Sequence, residues 1–183
     1  AGYVLKSGYS KLFMADNDKQ KDEFIFAVNC DGLRTQSYGN TTFLVHAPSG
    51  DDHDDYGVGG GWYGYRTTKQ FVSLFPNANG STDQRALFTN ISKPEIANVG
   101  DYSQGIHVKK NKIIRFEGQP TSEPQNGIFS DMNFPVCRLP EMYRQYSKAF
   151  IRGGLGAAAD IAWDYLIKVH YKPYVETMAV KVL

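Results

Sequence analysis

Glycines at 57, 59, 60, 61 and 64 crowd around Trp62, Tyr63 and Tyr65 in YGVGGGWYGYRTTKQFVSLFP, the stretch from Tyr56 to Pro76. Glycine admits positive φ and weakens a helix or strand interior by about 0.5–1 kcal/mol relative to alanine, so this run reads as a loop. Glycine also removes side-chain cover, which leaves the neighbouring aromatic faces accessible. An exposed, rigid aromatic on a loop costs hydration, and ligand stacking is a reason to keep one there. Two readings of Trp62 therefore stand together: a platform for a ligand, or a plug that seals the loop against the core.

At 183 residues the chain is long enough for one ordinary domain with its own core. A net charge of +1 leaves no surplus of cations for a nucleic-acid partner. Twelve tyrosines and eleven phenylalanines suit a wet, half-apolar binding face. No apolar run reaches the roughly 20 residues that span a bilayer, and AGYVLKSGYSKLF has no signal-peptide core. Cys30 and Cys137 lie far apart without CxxC spacing, which leaves two buried thiols or a single bridge.

Leu5, Tyr9, Leu12 and Phe13 have helical spacing and predict an opening helix, and FIFAV at 24–28 predicts a short buried strand. Residues 29–64 form a long loop-rich region, and such stretches inside a compact domain usually carry function. Thr67 and Gln70 have capping-box spacing before the apolar face of Phe71, Val72, Leu74 and Phe75, and Pro76 ends that helix. Short strands are expected at 86–89 and 113–116. Leu139, Met142, Tyr143, Tyr146, Ala149 and Phe150 then predict a helix with a core-facing stripe, closed by Gly153 and Gly154. Ala158 to Val169 repeats the pattern, so the two helices make a hairpin like a solenoid unit. The expected fold class is mainly α, with long loops and a few short strands, and residues 1–183 read as one unit.

The segment FPVCRLPEMYRQYSKAFIRGG resembles the signature helix of the SusD/RagB family. DEFIFAVNCDG with TQSYGNTTFL is similar to that family's strand and following loop, and GWYGYRTTKQFVSLF is similar to its Gly-Trp-x-Gly loop and helix. The three segments fall in family order and cover most of residues 3–154. The chain departs from the family at Ser147 and Lys148, where Ala-Glu is usual, and in the helix after residue 155. The resemblance implies a mostly helical fold with tetratricopeptide-like helix pairs, of which this chain is the C-terminal part. It implies a cell-surface, outer-membrane lipoprotein that binds a polysaccharide or oligosaccharide and delivers it to a SusC-type TonB-dependent transporter. It implies, too, membrane association through an N-terminal lipid upstream of this chain.

By local motif, Tyr38 and Trp62 match two of the aromatics that cradle sugar in the family's starch-binding founder, and a third lies upstream. Pyranose rings present C–H faces to aromatic planes while their hydroxyls need polar partners. Arg34, Gln36 and Asn40 flank Tyr38 and are the candidate partners. No cofactor is expected, although Asp16 and Asp18 have the alternate spacing of calcium ligands and some family members carry a structural ion. Asp51, Asp52, His53, Asp54 and Asp55 do not follow calcium-loop or zinc spacing and read as a solvated loop tethered through His53 or Asp54. Two other functions stand beside glycan binding. A glycoside hydrolase would use carboxylates such as Asp54 and Glu117, and a Ser37–His46–Asp51 triad can be written without a GxSxG elbow to support it. A helical peptide- or protein-binding module would display its groove along helices, whereas here the candidate face is on loops. The expectation is a binding protein without enzymatic activity.

Overall fold

The structure is a computed structural model that describes residues 2–6, 8–34, 36–75, 83–89, 92–116 and 128–151, with backbone alone at 147–151. In chain order the regular elements are β1 (Phe24–Val28), α1 (Asn40–His46), α2 (Lys69–Val72), β2 (Phe88–Thr89), β3 (His107–Val108), β4 (Phe134–Arg138) and α3 (Leu139–Ile151). Short 3-10 turns occupy Tyr9–Phe13, Asn17–Lys19 and His53–Tyr56. No helix among the described residues is long and apolar enough to cross a membrane.

The expected mainly helical architecture is not what these residues form. Three α-helices and two small two-stranded sheets are described, and α3 alone exceeds two turns. The reason lies in the polar loops, whose side chains satisfy the backbone locally and compete with helix formation. The Asp31 carboxylate accepts from the Leu33 and Arg34 N–H groups at 2.9 and 3.0 Å. The Gln104 amide oxygen accepts from Ala97 and Asn98 at 2.7 and 3.0 Å. The opening helix is a 3-10 turn instead, and residues 113–116 form no strand. The second helix of the expected hairpin, 158–169, lies outside the described residues.

The chain divides into two compact units. One contains, of its described parts, residues 2–6, Lys21–Ala27 and 135–151; the other contains Gly8–Gln20 and Val28–Phe134. In the first, β1 pairs with β4 and α3 follows directly. Glu23 is buried there and accepts from the Lys6 N–H and from Arg138 Nη1, both at 2.8 Å. Burying a carboxylate is costly unless it is paired, so Arg138 compensates the charge. Of the apolar stripe of α3, Met142 and Tyr146 are exposed and Leu139 and Tyr143 half-buried, while the Ala149 and Phe150 side chains lie outside the described residues. Strand β1 is likewise only half-covered, with Phe26 exposed.

The second unit packs Val45, Tyr56, Val58 and Ile113 as its core, with Leu12, Ile106 and Met132 also buried. Buried Asn17 ties its ends together: its amide donates to the Leu12 and Asn133 carbonyls, and its oxygen accepts from the Asn133 N–H at 2.9 Å. Strands β2 and β3 are antiparallel, with Phe88 opposite Val108 and Thr89 opposite His107. Helix α2 is capped by the Thr68 hydroxyl, which accepts from Phe71 N–H, one residue later than the capping-box spacing suggests. Phe71 and Phe75 meet Phe88 edge-on at 6.1 and 5.2 Å, so α2 is held on β2 by aromatic contact.

Candidate functional site

The glycine loop closes the C-terminal end of α1. The last carbonyls of a helix lack partners within it and need donors from elsewhere. Here the Trp62 N–H donates to the His46 carbonyl at 3.1 Å, and the Gly64 and Tyr65 N–H groups donate to Ala47 at 2.9 and 2.8 Å. The Tyr63 N–H donates to Ser49 at 3.1 Å. This docking requires glycine at 61, where a Cβ would lie 2.4 Å from the Ser49 carbonyl oxygen. Tyr63 has φ of 54° and turns the chain sharply. Its ring packs beside Gly50 and its hydroxyl bonds Asp51, while Trp62 keeps 38% of its surface open.

Trp62 and Tyr38 come together from opposite sides of α1 in sequence. Their ring centroids are 6.1 Å apart with planes inclined by 48°. Tyr38 precedes α1 and is 64% exposed. Phe129 meets Tyr38 at 5.2 Å, and Phe43 of α1, half exposed, meets Trp62 at 6.2 Å. Four rings thus form one arc, backed by a fifth. Buried His46 stacks on Trp62 at 4.7 Å and 19°, and its Nδ1 and Nε2 lie 3.1 and 2.7 Å from the Gly60 and Ile128 carbonyl oxygens. The segment bearing Phe129 is pinned further by the Ser130 N–H, which donates to Thr42 Oγ1 at 3.0 Å.

Arg34, Gln36 and Asn40 are exposed near Tyr38 in sequence. The Arg34 guanidinium lies 3.6 Å from Asp31, and the Asn40 side-chain oxygen accepts from the Thr42 N–H at 2.9 Å. That bond holds the first turn of α1, where Gly39 offers no side-chain cap. Sequence reading did not single out Phe43, His46 or Phe129 for the arc. The i, i+3 spacing of Phe43 and His46 beside TQSYGNTT was a usable signal for two of them.

Asp16 and Asp18 line a cavity of about 460 Å³ with Lys19, Cys30, Arg115 and Asp131. Asp16 is already engaged: Oδ1 accepts from the Phe116 N–H at 2.9 Å and Oδ2 lies 3.6 Å from Lys19. Calcium takes six to eight oxygens, and no group of three or more His, Cys, Asp or Glu among the described residues is placed to hold a metal. Nothing here adds to the calcium expectation. Both cysteines are free, half-buried thiols.

The acidic run is a set of tethers. Asp52 accepts from the Gly50 N–H at 2.9 Å and from Thr89 Oγ1 at 2.5 Å, and lies 3.4 Å from His107 Nδ1. Asp55 pairs with Lys109, and His53 Nδ1 lies 2.9 Å from the Val58 carbonyl, whereas Asp54 is almost wholly exposed. The paper triad is not assembled. His46 faces two carbonyls, Asp51 holds Tyr63, and the Ser37 hydroxyl accepts from the Gly39 N–H. Glu117 lies outside the described residues.

No family model matches the chain. Among curated proteins it is 24% identical to "Starch-binding protein SusD" of Bacteroides thetaiotaomicron over 209 aligned residues. That alignment takes in 88% of the chain but 37% of the relative, so the chain spans well under half of that protein's length. The likeness runs through most of this sequence and shows the resemblance of the chain to the SusD/RagB family.

Proposed function

We propose that this chain is the C-terminal portion of a SusD-like glycan-binding protein and that the arc of Tyr38 and Trp62, widened by Phe43 and Phe129, holds the sugar. The observation that supports it most is the meeting of Tyr38 and Trp62 at 6.1 Å with open, mutually inclined faces. Inclined aromatic planes fit successive pyranose C–H faces, and Arg34, Gln36 and the Asn40 amide hydrogens are the polar groups nearest in sequence for the hydroxyls. The starch-binding relative supports a glucan as the first ligand to try. The wider reading is a protein on the outer-membrane surface that passes glycan to a SusC-type TonB-dependent transporter without cleaving it. Asp51, Asp52 and Asp55, the neighbours of Asp54 in the acidic run, are engaged as tethers, which supports binding over hydrolysis.

Affinity electrophoresis in soluble starch tests the site. Trp62→Ala is expected to weaken binding at least about tenfold, equivalent to about 1.4 kcal/mol. Tyr38→Ala should show a smaller loss because its ring offers less area. Unchanged mobility of Trp62→Ala, with the variant folded, would overturn the assignment. Sustained release of reducing ends from starch would overturn the binding-only reading.

A further inference from the structure

His46 sits between the two arms of the arc, within bonding distance of both. Gly60 belongs to the loop that carries Trp62, and Ile128 precedes Phe129, the ring that meets Tyr38. Each ring nitrogen of His46 lies within bonding distance of one of those two carbonyls, at 3.1 and 2.7 Å. A carbonyl can only accept. Neutral imidazole has one N–H and can serve one arm, whereas imidazolium has two and serves both. The ring also stacks on Trp62 at 4.7 Å, where an indole face receives a cation favourably.

We propose that His46 is a positioning residue for the glycan arc, a proton-dependent staple joining the Trp62 loop to the Phe129 segment, so that glycan affinity rises when the imidazole is doubly protonated. The inference rests on the arc being the glycan site. Three elements pack on the ring. Helix α1 has no other titratable side chain, and Ile128–Ser130 has none. The glycine loop contributes Tyr63, bonded to Asp51, exposed Tyr65, and Arg66, whose guanidinium donates to the Val99, Asp101 and Gln104 carbonyls. Among the described residues, the histidines within ion-pair distance of a carboxylate are His53 and His107, not His46. Imidazole is the side chain whose ordinary charge change lies between about pH 5 and 8, which sets the range to be scanned.

Two measurements test this on the protein. The first needs no glycan. Trp62 emission, taken as the difference between the protein and its Trp62→Phe variant, is expected to be quenched at acid pH by the stacked imidazolium. It should recover in a one-proton transition as pH rises. Emission that does not titrate would overturn the staple. The second is calorimetry with maltoheptaose, where affinity is expected to fall about tenfold between about pH 5.5 and about pH 8.5. His46→Phe keeps a stacked ring but no donor, and His46→Gln keeps two amide hydrogens that do not titrate. Both should bind with no such pH dependence, Gln more tightly than Phe. Affinity flat with pH in the native protein, while Trp62→Ala abolishes binding, would overturn the staple and leave the arc standing. Undiminished binding by Trp62→Ala would remove the arc, and the inference with it.

Discussion

Tyr56 carries its phenolic oxygen into the core of the second unit, where no described residue meets the hydroxyl in hydrogen-bond geometry. Burial pushes its ionisation up, well beyond the ordinary phenol range. An unmet buried hydroxyl costs about 1–3 kcal/mol, so Tyr56→Phe should leave stability unchanged or raise it by about 1 kcal/mol in urea unfolding. A loss above about 2 kcal/mol would mean that the hydroxyl is bonded after all. Asp52 shows the opposite case. Burial raises its carboxyl, but the bonds from Thr89 and Gly50, with His107 beside it, outweigh that and hold it below the usual carboxylate range. The sequence offered no means of separating Asp52 from its acidic neighbours, because its partners Thr89 and His107 are distant along the chain. Of the two residues expected to tether this loop, His53 reaches the Val58 carbonyl, while the Asp54 carboxylate is almost wholly exposed and lies 3.2 Å from His53 Nδ1.

At the level of elements, the glycine loop and α1 form one device. The loop supplies four N–H groups to carbonyls at the end of the helix, and the helix supplies His46 and Phe43 to the ring beside them. Gly61→Ala forces a Cβ against the Ser49 backbone, which has no flexible end to move aside. Overpacking of this kind costs about 1–3 kcal/mol. Thermal unfolding should show that loss, with weaker starch binding as Trp62 shifts. Gly60→Ala meets nothing within 4 Å and serves as the matched control, within about 0.5 kcal/mol of native stability. Helix α3 behaves differently. Its start was legible from Pro140 and the apolar spacing, but the direction of its stripe was not, because periodicity names a face without naming what covers it. With Tyr146 51% exposed, Tyr146→Ala should change stability by less than about 0.5 kcal/mol in this chain.

Across the whole molecule, legibility tracked the range of the forces involved. Local signals held: β1 was read from FIFAV and α3 from its 3.6-residue period. The meeting of Tyr38 with Trp62 was expected from motif resemblance, but Phe129 joined the arc through contacts far along the chain that no local pattern carries. The mainly helical expectation failed because Asp and Asn side chains close turns that a helix would otherwise occupy. Those same turns predict how the molecule responds to acid. Asp31 is lowered by the Leu33 and Arg34 N–H groups, and Asp101 by Ser103. In Asp83, burial is outweighed by its bonds from Arg85. With Asp52 these carboxyls ionise below the ordinary value of about 3.9 when folded. A carboxyl depressed on folding contributes its stability in full above its unfolded value and loses it as pH falls through its folded one. Urea midpoints should therefore fall with growing slope below about pH 4, as these groups are protonated. Asp52→Asn should be less stable at neutral pH and show a shallower fall, since it has already lost one of the titrating carboxylates. A stability that holds level from about pH 5 to about pH 2.5 would show that these turn carboxylates hold nothing together.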